Sequence, residues 1–307
     1  MKIAIHGLGR MGMQIAKKLA VANSNFTVIA HNRSPEPIEE AAVAGAIAAH
    51  TKQDVMAAFG NDKAIIWLML PAEVTESELI AWLDIVPAGS LLIDGGNSDF
   101  RITRKHAEMV AAKGVEFLDV GTSGGVWGMQ RGFCMMAGGD AAGFASVEPV
   151  LKALAFPSGA YDHFGPAGNG HYVKMVHNAI EYGMMESLAE GYRMLREGAY
   201  PDTDLAAAGE VWQHSSVITS WLNELTRDAV KENPTMEGND GFVAENGEAR
   251  WTLEVAAEHG VAMPAIQAAM DVRIASQNPD GSGANFATKL LAAQRNKFGG
   301  HALNKQD

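Results

Sequence analysis

One cysteine, Cys134, in 307 residues removes two classes of architecture at the outset. No intrachain disulfide can form and no thiolate cage can hold a structural zinc ion, so an apolar core must stabilise the fold. Cys134 itself reads as part of that core. Basic side chains are also scarce: 24 Lys and Arg stand against 36 Asp and Glu, a formal net charge of −12. Such a field repels polyanions, which argues against nucleic acid and anionic membrane as partners. Any small anion must be captured by a local basic cluster working against the overall charge. Long hydrophobic runs are missing too. The longest, Ala64 to Ala72, is well short of the roughly 20 residues that a spanning helix needs. Met1-Lys2-Ile3 leads straight into an apolar strand with none of the features of a secretory signal, so a cytoplasmic protein is expected.

What the chain does have is 47% hydrophobic and 20% charged residues, the balance of a globular protein, and enough length for two domains. Residues 2–6, 26–31, 64–70, 90–93, 115–120 and 133–137 read as short apolar strands. Helical stretches such as 11–22, 35–44 and 102–113 lie between them. This alternation is the signature of an α/β, doubly wound, mostly parallel sheet of Rossmann-like type. Beyond Tyr161-Asp162-His163-Phe164-Gly165-Pro166 the strand signals stop. The pattern turns helical, with expected helices from Gly168 to about Arg196, across 204–224, near 250–259 and over 264–276. Two domains are therefore expected, an α/β domain at 1–165 and an all-helical domain at 166–307. Two Gly- and Asn-rich loops, 237–247 and 278–284, interrupt the helical half.

Gly7-Leu8-Gly9-Arg10-Met11-Gly12 follows the first strand and opens the first helix. In that setting G-x-G-x-x-G glycines allow a tight turn and bring backbone N–H groups to a dinucleotide pyrophosphate at the helix N-terminus. The ribose reader is expected about 20 residues further on, at the end of the second strand. There the chain carries His31-Asn32-Arg33-Ser34, a guanidinium and a hydroxyl with no carboxylate. This set suits a 2′-phosphate, so NADP is favoured, and Glu36 close by leaves NAD open.

The richest segment is Gly170-His171-Tyr172-Val173-Lys174-Met175-Val176-His177-Asn178-Ala179-Ile180-Glu181-Tyr182. On a helix Lys174, His177, Asn178 and Glu181 fall at i, i+3, i+4 and i+7, one polar stripe, with Val173, Val176, Ala179 and Ile180 on the opposite side. A proton acceptor, two orienting groups and a carboxylic acid on one stripe are what two-step proton chemistry requires. Gly168-Asn169-Gly170 would let another chain segment approach closely. The histidines, including His163, His171, His177 and His214, lack the spacing of a metal site, and no metal is expected.

With these motifs in view, the chain resembles the decarboxylating 6-phosphogluconate dehydrogenase family, in a short bacterial form. Gly95-Gly96-Asn97-Ser98 is similar to that family's Gly-Gly-Asn-Ser loop, and Ser123-Gly124-Gly125 to its substrate turn. Glu181-Tyr182 and Arg295-Asn296-Lys297-Phe298-Gly299-Gly300-His301 resemble its more discriminating motifs. Arg250-Trp251-Thr252 stands where many members have Lys-Trp-Thr, and Ser34 replaces a common Thr. The resemblance implies cofactor contacts from the glycine loop, Asn32, Arg33, Ser34, Met69, Leu70 and Asn97. It implies substrate contacts from Asn97, Ser123, Gly124, Gly125, His177, Asn178, Tyr182, Arg250, Thr252, Arg273, Arg295 and His301. It also implies a homodimer or tetramer in which the tail reaches a neighbouring subunit.

The implied chemistry is oxidation of 6-phosphogluconate at C3 and loss of carbon dioxide, with Lys174 as base and Glu181 as the acid that protonates C1. Burial would disfavour the charged form of Lys174, as a lysine base requires. Two alternatives share part of this equipment. Another β-hydroxyacid dehydrogenase, such as one acting on 3-hydroxyisobutyrate, would need Lys174 but neither Glu181 nor a phosphate-binding Arg273 and Arg295. A non-catalytic NADP(H)-sensing module would not need Lys174 and Glu181 together.

Overall fold

The computed structural model describes residues 1–22 and 25–303, and the chain divides into two compact units, Met1–Lys174 and Met175–Asp307. The first unit runs β1 (Lys2–His6), α1 (Arg10–Ala22), β2 (Thr27–His31), α2 (Pro35–Val43), β3 (Ile47–Ala49), α3 (Lys52–Phe59), β4 (Ile65–Leu68) and α4 (Ala72–Leu83). It continues through β5 (Leu91–Asp94), α5 (Phe100–Ala111), β6 (Glu116–Ser123), α6 (Gly128–Arg131), β7 (Cys134–Gly139), α7 (Ala141–Ala155) and β8 (Tyr161–His163). The strands form one sheet in the order β3-β2-β1-β4-β5-β6-β7-β8. Every pairing is parallel except β6 with β7.

The strands read as almost uninterrupted hydrophobic runs because helices cover both faces of the sheet. Side chains alternate between the faces with the strand period of two. Ile3, Ile5, Trp67 and Ile93 pack with Ile15 and Leu19 of α1 and Val147 and Leu151 of α7. Ala4, Ile66, Leu68 and Leu92 pack on the other side with Val55, Leu79, Trp82 and Val110 of α3, α4 and α5. The chain builds outward from β1 to β3, then returns to place β4 on the opposite side of β1. Strand ends diverge at such a switch point and leave a crevice. Gly7, Asn32, Met69 and Gly95 each follow directly on the C-terminal end of β1, β2, β4 and β5.

Two expectations for this unit are corrected. Strand β6 continues to Ser123 rather than stopping at Val120, because antiparallel β7 extends the ladder as far as Ser123 opposite Cys134. Cys134 is exposed rather than in the core. It opens β7 at the end of the ladder, and the inward positions begin at Met135.

The second unit begins within α8 (Asn169–Glu197) and continues with α9 (Leu205–Trp212), α10 (Trp221–Glu232), α11 (Glu248–Glu258), α12 (Pro264–Ser276) and α13 (Phe286–Gly299). The single helix expected over 204–224 is two. Ser215 adopts φ 58°, the Thr219 hydroxyl donates to the Trp212 carbonyl at 3.0 Å, and Ser220 caps α10 through the Asn223 N–H. Ser and Thr side chains that compete for backbone partners end helices in this way. Residues 295–299, read as a tail, are the last turns of α13, whose start is fixed by a capping box at Asn285 and Thr288. Cores of Tyr192, Leu205, Val230 and Phe286, and of Tyr182, Ile266 and Met270, hold the unit together. Among the described residues no helix is long and apolar enough to cross a membrane.

A polar cluster lies buried beneath the ends of β1 and β2. Trp82 Nε1 donates to His6 Nδ1 at 3.0 Å, so the His6 proton sits on Nε2, which faces Glu78 at 3.8 Å. His31 donates Nδ1–H to the Ala49 carbonyl at 2.9 Å. The two rings stand 4.7 Å apart. Burial, then His31 and Lys52, push the His6 pKa from 6.5 down to about 3; burial likewise lowers that of His31. Between these two His6 values the unfolded chain binds one more proton than the folded one, so stability falls as pH drops below about 6.5. Replacing His6 by Gln, which does not titrate, is expected to remove about 2 kcal/mol of the stability lost between about pH 6.5 and 5. Denaturant midpoints of both proteins across that range measure it, and parallel pH profiles would contradict it.

Candidate active site

The glycine loop owes its course to close packing. Gly7 adopts φ 100°, and a side chain there would strike the Met69 carbonyl; one at Gly12 would strike the Gly7 carbonyl. Only glycine lets α1 start this near the sheet. The Leu8 N–H donates to Asn32 Oδ1 at 3.0 Å, tying the loop to the end of β2, and Asn32 Nδ2 reaches the Ser34 carbonyl at 3.2 Å. Arg33 and Ser34 are exposed, and the Ser34 hydroxyl makes no capping bond to α2. A cavity of about 510 Å³ lies beside Leu8, Gly9, Arg10, Met13 and Lys17, with open space around Gly9. Glu40 also lines this cavity and pairs with Lys17 at 2.6 Å, so the helix N-terminus, the open backbone and Arg10 are what fit the pyrophosphate of a dinucleotide.

Asp94, fully buried at the end of β5, shapes the Gly95–Ser98 loop that carries Asn97. It accepts from the Gly96 N–H at 3.0 Å and from the Ser98 hydroxyl at 3.2 Å. The Ser123-Gly124-Gly125 turn ends β6 and passes into a short 3-10 turn, Gly125–Trp127. Helix α1 holds the adjoining start of α6: buried Lys18 donates to the carbonyls of Gly128 at 2.9 Å and Met129 at 3.0 Å, and Gln14 accepts from the Met129 N–H at 3.3 Å. Asp94, Gln14 and Lys18 were missed in the sequence. Only Asp94 left a signal there, as a carboxylate closing an apolar strand directly before Gly-Gly.

The start of α8 is set by another fully buried carboxylate. Asp119 of β6 accepts from the Gly168 N–H at 2.7 Å and the His171 N–H at 2.8 Å. These are two of the donors that a helix start leaves without intrahelical partners. Gly170 lies against the backbone of Asp119 and Gly138, the close approach expected of that segment, and a side chain at Gly121 would strike that of Lys174. Lys174, 7% exposed, is thereby seated against β6. The Thr103 hydroxyl donates to the Asp99 carbonyl at 3.1 Å, so its contact with His171 at 2.8 Å must receive the proton from Nδ1. Cys134 stands opposite Ser123; the residue is exposed but its thiol is partly desolvated, which raises the thiol pKa against the opposing charge of Lys174. It is a neighbour of the site that sequence reasoning assigned to the core.

Further along α8, His177 donates Nδ1–H to Asn178 Oδ1 at 2.9 Å and lies 4.0 Å from Glu181 Oε2. Asn178 Nδ2 donates to Glu248 Oε1 of α11 at 2.8 Å, and the Thr252 hydroxyl contacts the carbonyls of Glu248 at 2.8 Å and Met175 at 3.1 Å. Glu248, buried and unforeseen, thus orients Asn178. The apolar side expected opposite the stripe packs only in part. Ala179 is buried, Val173 and Val176 are half-buried like His177, Asn178 and Glu181, and Ile180 is 51% exposed, while Lys174, Met175, Tyr182, Met185 and Glu186 are also buried.

Two of the three expected arginines bind the segment 244–246. The Arg273 guanidinium, with no exposure, stacks 3.4 Å over the Tyr182 ring and donates to the Ala244 carbonyl at 3.3 Å. Burial lowers its pKa to about 10, so it stays charged at neutral pH. Arg295 reaches Asn246 Oδ1 at 3.5 Å, and the Asn246 N–H reaches the Tyr182 hydroxyl at 3.4 Å. Arg250 is half exposed and paired with Glu245. His301 follows α13, its carbonyl held by Asn296 at 2.7 Å. Among the described residues no three His, Cys, Asp or Glu side chains form a metal-holding group.

Asp119→Asn tests the seating of α8. An amide keeps one acceptor oxygen but turns N–H groups toward a backbone N–H, so the variant is expected to lose about 1–3 kcal/mol. Its amide exchange at Gly168 and His171 is expected to accelerate. Unchanged denaturation and unchanged exchange would show that Asp119 does not anchor this helix.

Comparison with known proteins agrees with this equipment. Residues 2–163 match the family model described as the NAD binding domain of 6-phosphogluconate dehydrogenase, and residues 170–282 match that of the 6-phosphogluconate dehydrogenase C-terminal domain. The chain is 34% identical to a Bacillus subtilis protein named "Putative 6-phosphogluconate dehydrogenase YqeC", over 100% of both chains. It is 36% identical, again over 100% of both, to the NAD(+)-dependent, decarboxylating 6-phosphogluconate dehydrogenase of Haloferax volcanii. The solved Plasmodium falciparum 6-phosphogluconate dehydrogenase, studied with NADP+ and with 6-phosphogluconate, has the same fold, with a TM-score of 0.75 at 23% identity over 96% of this chain and 70% of that one. With the glycine loop, the Asn97 loop, the Ser-Gly-Gly turn and the Lys174 helix all in these matched regions, the chain belongs to the 6-phosphogluconate dehydrogenase family of NAD(P)-binding oxidoreductases.

Proposed function

We propose that this protein oxidatively decarboxylates 6-phosphogluconate to ribulose 5-phosphate and carbon dioxide, using NADP in preference to NAD. The observation that carries the reading is α8: one helix, capped by Asp119, bearing Lys174, His177, Asn178 and Glu181 at three- and four-residue spacings. When bound, the nicotinamide cofactor supplies the acceptor for the C3 hydride. Neutral Lys174 takes the proton of the 3-hydroxyl, and the resulting 3-keto acid holds its carboxylate β to a carbonyl. As the bond to the carboxylate breaks, its electron pair moves toward the C3 oxygen. Protonated Lys174 stabilises that oxygen by donating a hydrogen bond. Glu181 then gives its proton to C1 of the enediol.

The neighbouring groups support these roles. His177 donates from Nδ1, so Nε2 is the acceptor nitrogen of its ring, suited to a sugar hydroxyl. Asn178 is oriented by both His177 and Glu248. Arg273, Arg295 and Tyr182 would receive the phosphate, while Ser123, Gly124, Gly125 and Asn97 would hold the carboxylate end. Arg33, exposed where no carboxylate follows β2, would read a 2′-phosphate. An even-numbered oligomer in which His301 serves a neighbouring subunit, and a cytoplasmic location, belong to the same proposal.

Purified protein given 6-phosphogluconate is expected to reduce NADP faster than NAD and to release one carbon dioxide per reduced nicotinamide. Reduction without carbon dioxide, or only with unphosphorylated 3-hydroxy acids, would move the assignment to another β-hydroxyacid dehydrogenase. Arg33→Ala is expected to weaken NADP binding by about tenfold or more while changing NAD binding little. Equal losses for the two cofactors would make Arg33 a general adenosine contact.

A further inference from the structure

Two oppositely charged groups in the second unit are buried and short of partners. Glu186 is 7% exposed and its Oε2 accepts no hydrogen bond; Arg273 has no exposure and its Nε donates none. Burying such groups is costly and is tolerated where they serve something else. They are close. Tyr182 and Glu186 lie one turn apart on α8, and the Arg273 guanidinium covers Tyr182 at 3.4 Å with Nη2 at 3.6 Å from the Met185 sulfur. We propose that Glu186 is a positioning residue for Arg273, and that the protonation of its carboxyl sets how strongly Arg273 holds the phosphate of the substrate. The inference rests on the reading above, in which Arg273 belongs to the phosphate end of the site.

The charged groups around Glu186 set the direction. Its own helix contributes Glu190, which repels its charge, and α12 contributes Arg273, which favours it. Arg295 of α13 and Glu181 of α8 act in turn on Arg273. Burial is the largest influence and, with Glu190, raises the Glu186 pKa to about 7. Both forms are therefore populated near neutrality. Protonated Glu186 leaves the Arg273 charge available to an incoming phosphate. Ionised Glu186 is a competing anion in a low-dielectric interior, where such an interaction is weakly screened. By linkage, a phosphate bound at Arg273 must in turn favour the protonated carboxyl.

The test compares wild type with Glu186→Gln, which has nearly the same shape and is permanently neutral. KM for 6-phosphogluconate and kcat are followed across pH at saturating cofactor. The wild-type to variant ratio of KM is expected to be near one at about pH 6 and to rise about tenfold by about pH 8.5. The ratio of kcat is expected to stay level with pH. The ionisation of the substrate's own phosphate affects both proteins and cancels. A KM ratio that does not change with pH, as a merely structural carboxyl would give, overturns the proposal.

Should the variant fail to fold, calorimetry of the wild type at about pH 8 in two buffers of different protonation enthalpy gives the answer. Binding of 6-phosphogluconate is expected to take up about 0.4 of a proton, as a tenfold coupling requires, and gluconate, which lacks the phosphate, much less. Equal uptake for the two ligands, or none, overturns the proposal. Absence of turnover with 6-phosphogluconate at every pH would instead overturn the functional reading and this inference with it. Turnover with a flat KM ratio would remove Glu186 alone.

Discussion

The buried carboxylate of Asp119 is the constraint on which the site depends. A charge taken wholly out of water is stable only if its lone pairs are filled, and here the leading N–H groups of α8 fill them. Neither partner is satisfied without the other. The first turn of α8 is therefore locked to β6, and the absence of a side chain at Gly121 leaves room for Lys174 directly beside it. His177, Asn178, Glu181, Tyr182 and Glu186 follow by helical spacing alone.

Four basic side chains of this acidic chain are taken out of water. Lys18, Lys174, Arg273 and Arg295 are all buried, where screening by water and salt is weak. Each is confined by specific partners: backbone carbonyls for Lys18, β6 for Lys174, the Tyr182 ring and Ala244 for Arg273, and Asn246 for Arg295. Carboxylates are placed against this set in graded environments. Asp119 and Asp94 are fully bonded to backbone and hydroxyl donors, whereas Glu186 is left with an unfilled oxygen and a pKa near neutrality.

Local patterns were most legible where they carry their own physics. The G-x-G-x-x-G loop, six short apolar strands of the eight in the sheet and the helical run from Gly168 to about Arg196 read directly, as did the α12 span that opens on Pro264. Signals that depend on distant partners did not. The length of β6 depends on antiparallel β7, and the surface position of Cys134 depends on where that ladder ends. The break between α9 and α10 depends on Ser and Thr hydroxyls finding backbone partners. Glu248, 70 residues from Asn178, has no sequence pattern linking the two. Lys174, His177, Asn178 and Glu181 share one helix, as their spacing indicated. Which side packs was only partly legible: of Val173, Val176, Ala179 and Ile180, Ala179 is buried, the two valines are half-buried and Ile180 is exposed.

The central claim is that α8 presents Lys174 as the base of the oxidation. Single-turnover reduction of NADP by Lys174→Ala, with 6-phosphogluconate and cofactor binding measured separately, tests it most directly. The expected result is binding within a few-fold of wild type and a rate of nicotinamide reduction lower by roughly 10²–10⁴-fold. Reduction at close to the wild-type rate with both ligands bound would contradict the account and remove Lys174 from the chemistry.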